Sequence, residues 1–144
     1  MEISNLQEAL RQARPVTDEQ AYCVIHLPAS TITAAAGVAA QIGEPFLALV
    51  ADHHEVTLVA HADAYQAIQR RLPDTKASLD WRLITFDAVL DQSLVGFLAA
   101  IAAALAEAGV SLFALSAYER DHILVKADQF DTAWAVLEKL AGQA

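Results

Sequence analysis

Cysteine, basic residues and long apolar runs are all scarce in this sequence. The single cysteine, Cys23, cannot form an internal disulfide, so a disulfide-stabilised secreted fold is not expected. Nine Lys and Arg residues stand against 18 Asp and Glu residues, which gives a formal net charge of −9. Because such a chain would be repelled by a polyanion, nucleic acid is not expected as a ligand.

Membrane and export signals are missing as well. The longest apolar run, residues 94–106, falls short of the roughly 18 to 20 residues that a membrane span needs. Residues 1–8 lack the basic start and the apolar core of a signal peptide. We therefore expect no membrane partner and a cytoplasmic location.

No pattern of catalytic or metal-binding residues is present. The sequence contains neither a glycine-rich phosphate loop nor a Ser/His/Asp arrangement. Neighbouring residues on a strand point to opposite faces, so His53 and His54 in the run 52–55 indicate a solvated hairpin tip rather than a metal site. Cys23 lies among apolar neighbours and is interpreted as an inert core residue rather than a thiol nucleophile. No metal, no cofactor and no enzymatic activity are expected.

Apolar residues are abundant. They make up 56% of the chain, while charged residues make up 19%. On 144 residues this much apolar surface favours burial against a partner as well as inside the molecule.

The N-terminal half combines apolar strands with short helices. Ser4 and Gln7 have the spacing of a capping box at the start of a helix. The stretch 29–43 is left open between helix and loop, and the polar stretch 73–80 is the predicted boundary between halves. The predicted elements are a helix over 4–13, a strand over 22–27, a hairpin of strands 46–51 and 56–60, and a helix over 61–72.

The C-terminal half alternates strands and helices in a recognisable order. The pattern predicts a strand over 81–86, a polar loop over 87–93, a helix over 94–108 closed by Gly109, strands over 110–117 and 122–125, and a helix that begins near Asp128. This order is the opening of the βαββαβ ferredoxin-like plan in the α/β (α+β) class. Since the halves share a strand pair followed by a helix, we predict two domains, 1–80 and 81–144. The strand at 22–27 could supply the strand that one copy lacks.

Five segments of the C-terminal half resemble the ACT domain. They are 83–85, 95–101, 105–111 (Leu-Ala-Glu-Ala-Gly-Val-Ser), 115–118 and 121–125 (Asp-His-Ile-Leu-Val). The sequence of these segments resembles that of small bacterial tandem-ACT proteins and of the ACT modules in aspartate kinases and CASTOR-type arginine sensors. The resemblance implies tandem ACT-like modules with antiparallel sheets, of which the N-terminal one is degenerate.

The resemblance also implies a ligand site where the helix-opening loop meets the second hairpin. By position it implicates Leu94, Val95, Gly96 and Phe97, and then Ala117, Tyr118, Arg120 and Asp121. A helix N-terminus offers unpaired N–H donors to an α-carboxylate, and a carboxylate such as Asp87 or Asp121 would hold an α-ammonium group. The loop 87–96 lacks the proline that ACT effector loops often have, so the identity of the effector does not follow.

Several of these residues have structural interpretations too. Gly96 could allow a ligand to approach or could serve close helix–sheet packing. Asp121 could bind a ligand or belong to a solvated turn, and Tyr118 could cover a ligand or the edge of the core. His122 could close the site, but a half-buried strand histidine tied to a carboxylate is favoured.

The resulting hypothesis is a regulatory protein that binds a small molecule, most plausibly an amino acid. Its expected partners are that ligand and either its own oligomer or a regulated protein. The alternative is an ACT assembly module without an effector, which acts through protein–protein contacts.

Overall fold

A computed structural model describes residues 2–144. The fold is mixed α/β with antiparallel strand pairing, as predicted. Two compact units are present: residues 20–81, and residues 82–144 together with the residues before Gln20. The helices and strands are α1 (Leu6–Gln12), β1 (Pro15–Val16), β2 (Ala21–Pro28), α2 (Ile32–Ile42), β3 (Ala48–Ala51), β4 (Glu55–His61), α3 (Tyr65–Arg71), β5 (Lys76–Phe86), α4 (Phe97–Glu107), β6 (Phe113–Ser116), β7 (Asp121–Lys126) and α5 (Phe130–Gln143).

The unit of residues 20–81 is built on the predicted hairpin. Strand β4 pairs antiparallel with both β3 and β2, and the β2 register runs from Tyr22 opposite His61 to Pro28 opposite Glu55. At the hairpin tip the Asp52 carboxylate accepts hydrogen bonds from the His54 and Glu55 N–H groups at 2.7 and 3.0 Å. This closed, exposed turn confirms the predicted hairpin.

The stretch that the sequence left open is a helix. In α2 the buried residues Ala35, Val38 and Ala39 recur at helical spacing and pack into the core of this unit. Alanine-rich composition outweighs the cost of the exposed Gly37 at its middle.

In the other unit, helices α1, α4 and α5 pack on a core that they share with the strands. Strand β7 lies between β5 and β6, and β1 pairs with the end of β5 through Pro15 opposite Phe86. Phe86 of β5 meets Phe97 of α4 edge to face, with ring centroids 5.4 Å apart. Leu105 and Leu137 bring α4 and α5 into the same core.

Helix α4 ends as Gly109 predicts. The Val110 N–H donates to the Leu105 carbonyl at 2.9 Å and the Gly109 N–H to the Ala106 carbonyl at 3.0 Å. Gly109 has φ +76, which an L side chain rarely adopts. This hydrogen-bond pair is the Schellman motif. Val110 is therefore part of the helix end, and β6 begins only at Phe113 rather than at residue 110.

Other helix and strand limits differ from the prediction as well. The helices predicted over 61–72 and 94–108 begin only at Tyr65 and Phe97. The first helix begins at Leu6, because the Asn5 side chain rather than Ser4 accepts the capping bond from the Glu8 N–H. Strand β5 begins at Lys76, inside the polar stretch predicted as a boundary. The last helix begins at Phe130 after a 3-10 turn, and Asp128 is not its N-cap.

The origin of the extra strand also differs from the prediction. Strand β2 pairs with β4 inside the 20–81 unit, whereas the strand paired with β5 at Phe86 is the two-residue β1. A strand this short leaves no apolar pattern in the sequence. Residues before Gln20 pack with the C-terminal unit. As a division into independent domains, 1–80 and 81–144 stays a prediction.

Candidate functional site

The start of α4 presents unpaired backbone donors. Gly96 is the N-cap, and its carbonyl accepts the Ala100 N–H at 2.9 Å. Among the described residues, no hydrogen-bond acceptor is found for the N–H groups of Phe97, Leu98 and Ala99. Donors left unpaired at a helix N-terminus, together with the helix dipole, favour an anionic group.

The backbone conformation at position 96 favours glycine. It has φ +94, a region that strongly favours glycine, and it precedes the first turn instead of lying in it. An added Cβ would meet only the Cδ2 atom of Leu6, at an ordinary 3.5 Å. Close packing against a sheet is therefore not what requires glycine at this position.

The loop before α4 is held by its own side chains and by the second hairpin. The Leu90 N–H donates to the Glu119 carbonyl at 2.7 Å, which joins the loop to the turn between β6 and β7. The Asp91 carboxylate accepts from the Ser93 hydroxyl at 2.6 Å and from the Ser93 N–H at 2.7 Å. These bonds hold the pKa of Asp91 below its usual value, since they favour the charged form.

Residues before α1 brace the same loop. The Ile3 N–H donates to the Val89 carbonyl and the Asp91 N–H donates to the Ile3 carbonyl, both at 2.9 Å. Ile3 thereby forms a parallel β-bridge with Leu90. Two hydrogen bonds across one bridge fix the loop from the side opposite the hairpin.

The turn between β6 and β7 supplies the facing wall. The Ala117 N–H donates to the Arg120 carbonyl at 3.0 Å, and the Ser116 hydroxyl donates to Asp121 Oδ1 at 2.6 Å. Tyr118 at the tip is 80% exposed. The hydroxyl of Ser116 thus orients the Asp121 carboxylate while leaving its second oxygen available.

A cleft of about 430 Å³ lies between these segments. It is lined by the loop, by the first turn of α4 and by the hairpin turn: Leu90, Asp91, Gln92, Leu94, Gly96, Phe97, Leu98, Ala99, Ser116, Ala117, Tyr118, Glu119, Arg120 and Asp121. Small-ligand pockets measure roughly 300–1,000 Å³, so the cleft has room for a metabolite.

Most of the residues singled out in the sequence meet at this cleft, and three do not. The ones that line it are Leu94, Gly96, Phe97, Ala117, Tyr118, Arg120 and Asp121. Val95 is 83% exposed and does not contribute to the lining. Asp87 also lies outside the lining, with its Oδ1 atom 3.6 Å from Arg120 Nε.

His122 lies in strand β7 and does not line the cleft. Its Nδ1 atom is 2.8 Å from the Thr85 hydroxyl, so its ring contacts a neighbouring strand hydroxyl in addition to the nearby charges. Burial lowers the pKa of His122, and the positive charge of Arg120 lowers it further against the opposing effect of Asp121. Its half-buried strand position is the one that the structural interpretation described, but the hydrogen-bond partner at Nδ1 is the Thr85 hydroxyl and not a carboxylate.

Other lining residues went unnoticed in the sequence. Leu98 and Ala99 follow from the position of the helix start, once that is known. Ser116 sits one residue before the segment singled out. The remaining lining residues belong to no motif: Leu90, Asp91 and Gln92 of the loop and Glu119 of the turn. The hydrogen bond between Leu90 and Glu119 joins the loop to the turn.

The cleft carries an excess of negative charge. Three carboxylates, those of Asp91, Glu119 and Asp121, line it beside the single cation Arg120. Arg120 is itself engaged, with Nε 3.6 Å from Asp87 and Nη1 3.5 Å from Glu119. A smaller cavity of about 180 Å³ adjoins the cleft, shares its loop and turn residues, and adds Glu2. Ligand groups with positive charge are therefore favoured on this side.

Two features that could support catalysis, a cluster of metal ligands and an activated thiol, are not found in residues 2–144. Among them no group of three or more His, Cys, Asp or Glu residues could hold a metal ion. Cys23 is fully buried, its thiol donates to the Ala60 carbonyl at 3.5 Å, and burial raises its pKa to about 11. A thiol of this kind is inert. Over residues 2–144, no helix has the length and apolar character needed to cross a bilayer.

One family model matches the later part of the chain. Residues 76–139, which run from β5 into α5, match the family model described as ACT domain. The sequence has no significant match among curated proteins.

Solved structures share the fold over nearly the whole chain. A protein of unknown function from Vibrio cholerae, described as a possible transport protein, is 28% identical with a TM-score of 0.71 and covers 94% of this chain and 95% of its own. A protein from Agobacterium tumefaciens is 20% identical, with a TM-score of 0.69 and coverage of 85% and 84%. The ligand-free regulatory subunit of aspartate kinase from Thermus thermophilus is 14% identical, with a TM-score of 0.66 and coverage of 88% and 96%. At the lower two identities the similarity is one of fold.

Proposed function

We propose that this protein is a regulatory module that binds a free amino acid in the cleft at the start of α4. One observation carries the proposal: the unpaired N–H groups of Phe97, Leu98 and Ala99 share a cleft with the carboxylate of Asp121. An amino acid is a carboxylate and an ammonium group separated by one carbon. The cleft offers a complementary group for each.

The chemistry assigns a role to each wall. The ligand carboxylate accepts hydrogen bonds from the first turn of α4, where the helix dipole adds to the attraction. The ligand ammonium donates to Asp121, whose Oδ1 atom is already oriented by Ser116. Asp87 is not needed for this role, because it lies outside the lining and is close to Arg120. The acidic surroundings favour neutral or basic side chains over those of aspartate and glutamate.

The ACT match and the fold similarity to aspartate kinase regulatory subunits support a regulatory role. The order β2-α2-β3-β4-α3-β5 in the other unit supports a second, degenerate ACT-like module in tandem. Binding would favour the arrangement with the higher ligand affinity, and a regulated protein or another copy of the chain would respond to it in the cytoplasm.

Thermal unfolding against each of the twenty amino acids at millimolar concentration tests the proposal. A ligand at one hundred times its Kd stabilises the native state by about 2.7 kcal/mol, a shift of several degrees. Asp121→Asn keeps an acceptor for Ser116 but removes the charge, so the shift should be lost. Glu138→Gln, an exposed change on α5 away from the cleft, should retain it. A shift that survives Asp121→Asn unchanged would place the ligand elsewhere.

An assembly module without an effector is the second candidate. It is favoured by the exposure of Val95 and Tyr118, 83% and 80%, at and beside the cleft. If the cleft is a protein contact, no amino acid will change the melting temperature. Replacement of Tyr118 by Ser will then weaken binding of the protein partner instead.

A further inference from the structure

Residues 2–4 form a strap along the loop before α4. The Ile3 N–H donates to the Val89 carbonyl and the Ile3 carbonyl accepts the Asp91 N–H, both at 2.9 Å. The Ile3 side chain is partly buried against the core of this unit. Among residues 2–144, no other backbone hydrogen bond joins the strap to another segment. A single residue therefore holds the strap in place.

The chain beyond the strap is fixed independently of it. The Asn5 side chain accepts the Glu8 N–H at 3.1 Å, and the Asn5 carbonyl accepts the Ala9 N–H at 2.9 Å. Ala9 and Leu10 of α1 are buried in the core. The strap can therefore leave the loop while α1 stays in place. Short segments with few contacts open at a lower free energy than the core does.

Asp91 joins the strap to the start of α4. Its N–H donates to the Ile3 carbonyl, its own carbonyl accepts the Leu94 N–H at 3.0 Å, and its carboxylate accepts from Ser93. Gly96, the N-cap of α4, follows two residues after Leu94. Asp91 and Leu94 both line the cleft. The docked strap thus fixes a residue of the cleft wall, and a released strap leaves the Asp91 N–H without its partner.

The charge of Glu2 opposes docking of the strap. Glu2 lines the cavity of about 180 Å³ beside the cleft, and the other charged residues of that lining are Asp91 and Glu119. The bonds from Ser93 lower the pKa of Asp91 and keep its carboxylate negative near neutral pH. Arg120 is 3.5 Å from Glu119 but lines the cleft and not this cavity. Because like charges repel, positive charge that a ligand brings to these carboxylates would favour the docked strap.

We propose that docking of the strap on the loop and binding of an amino acid in the cleft stabilise each other. With the strap docked, the cleft wall at Asp91 is in place before the ligand arrives. With the strap released, the ligand must order that wall as it binds, so its affinity is lower. Since such coupling is reciprocal, the bound ligand favours the docked strap by the same factor. Ile3 is therefore a positioning residue that acts through Asp91. This inference rests on the amino-acid site proposed above.

Hydrogen exchange of the full chain without ligand, followed by NMR at each amide, tests the docking step. The Ile3 and Asp91 amides are freed by the same opening, so their protection factors should agree within about threefold and lie well below that of the buried Val125. Glu2→Gln removes the repulsion and should raise the Asp91 protection factor about twofold. Glu138→Gln makes the same change on α5, outside the cleft and the cavity, and should leave that factor unchanged.

Thermal unfolding against each of the twenty amino acids at millimolar concentration tests the coupling, and titration of an active amino acid gives its dissociation constant. That amino acid should bind Ile3→Pro at least about fivefold more weakly than the wild type, because proline has no N–H for Val89. Ile3→Val keeps this N–H and most of the apolar contact, so it should retain the affinity within about twofold. Ser4→Pro should retain it as well. A purely structural role of Ile3 would lower the melting temperature without ligand but leave the dissociation constant unchanged.

The outcomes separate this inference from the proposed function. A wild-type thermal shift together with an unchanged dissociation constant in Ile3→Pro would overturn the coupling and leave the amino-acid site intact. No thermal shift of the wild type with any amino acid would refute the proposed function and the coupling with it. An Asp91 protection factor that is the same in Ile3→Pro as in the wild type would show that the strap does not hold the loop, and would also overturn the proposal. Circular dichroism of each variant establishes that it is folded.

Discussion

Replacing Gly96 by alanine isolates the backbone geometry on which the cleft depends. Gly96 has φ +94, and an L residue in the left-handed region costs roughly 1–2 kcal/mol. The added methyl group would not clash, since only Leu6 lies near it, at 3.5 Å. We therefore expect Gly96→Ala to lower the free energy of unfolding by about 1–2 kcal/mol, all of it from backbone strain.

Gly37→Ala is the matched control. Gly37 is exposed in the middle of α2, has no atom within 4 Å of an added Cβ and does not have a positive φ. There the same substitution should stabilise the protein by about 0.5–1 kcal/mol, because glycine in a helix interior is unfavourable relative to alanine.

Urea unfolding distinguishes the two variants. With a slope of about 2 kcal/mol per molar urea, Gly96→Ala should lower the midpoint by about 0.5–1 M, and Gly37→Ala should raise it slightly. If Gly96→Ala left the midpoint unchanged, the start of α4 would not require a residue with a left-handed backbone conformation.

Two further predictions concern the surroundings of the cleft. The pKa of His122 is lowered in the folded state, so the unfolded chain binds the proton first as the pH falls. The stability that this histidine contributes should therefore be complete above about pH 6.5 and decline below it, toward the folded pKa. Replacement by glutamine, His122→Gln, should flatten the dependence of the unfolding free energy on pH over that window. Ile3→Pro removes the N–H donor to Val89. It should speed hydrogen exchange at the Asp91 amide severalfold and lower the free energy of unfolding by about 0.5–1.5 kcal/mol. Ser4→Pro is the control, because the Ser4 N–H has no partner among the described residues, and it should leave that exchange unchanged.

Local signals in the sequence predicted the elements whose boundaries depend on neighbouring residues. Gly109 after an alanine-rich run predicted the end of α4, and Asp52 in a polar tip predicted the first hairpin. Both depend on turn chemistry within a few residues of chain. The apolar stripe of α5 was equally visible, because helical spacing repeats over its whole length.

The pairing of strands that lie far apart in the chain could not be predicted from a comparable local signal. Strand β1 is two residues long, and its place beside Phe86 depends on contacts across about seventy residues of chain. The start of β5 at Lys76 was obscured by polar residues on an exposed stretch. Apolar and polar residues alternate along a strand when one of its faces is buried and the other is exposed. At the start of β5 most residues are exposed, so this alternation is weak.

The cleft was predictable in part for the same reasons. Gly96 and the turn before β7 follow from the ACT resemblance and from the expectation that a helix N-terminus binds anions. The contribution of Leu90 and Asp91 follows from hydrogen bonds to Glu119 and Ile3, which lie far away in the sequence. Asp87 was placed in the site as a carboxylate that could hold an α-ammonium group, but its proximity to Arg120 was not visible in the sequence.

The proposed ligand is a free amino acid that binds between the start of α4 and the turn before β7. An NMR titration of the isotopically labelled protein with the amino acid that gives the largest thermal shift tests it most directly. We expect the largest amide shifts at Phe97, Leu98 and Ala99 and around Asp121. Saturable shifts confined to other parts of the chain, or no shifts with any of the twenty amino acids, would contradict it.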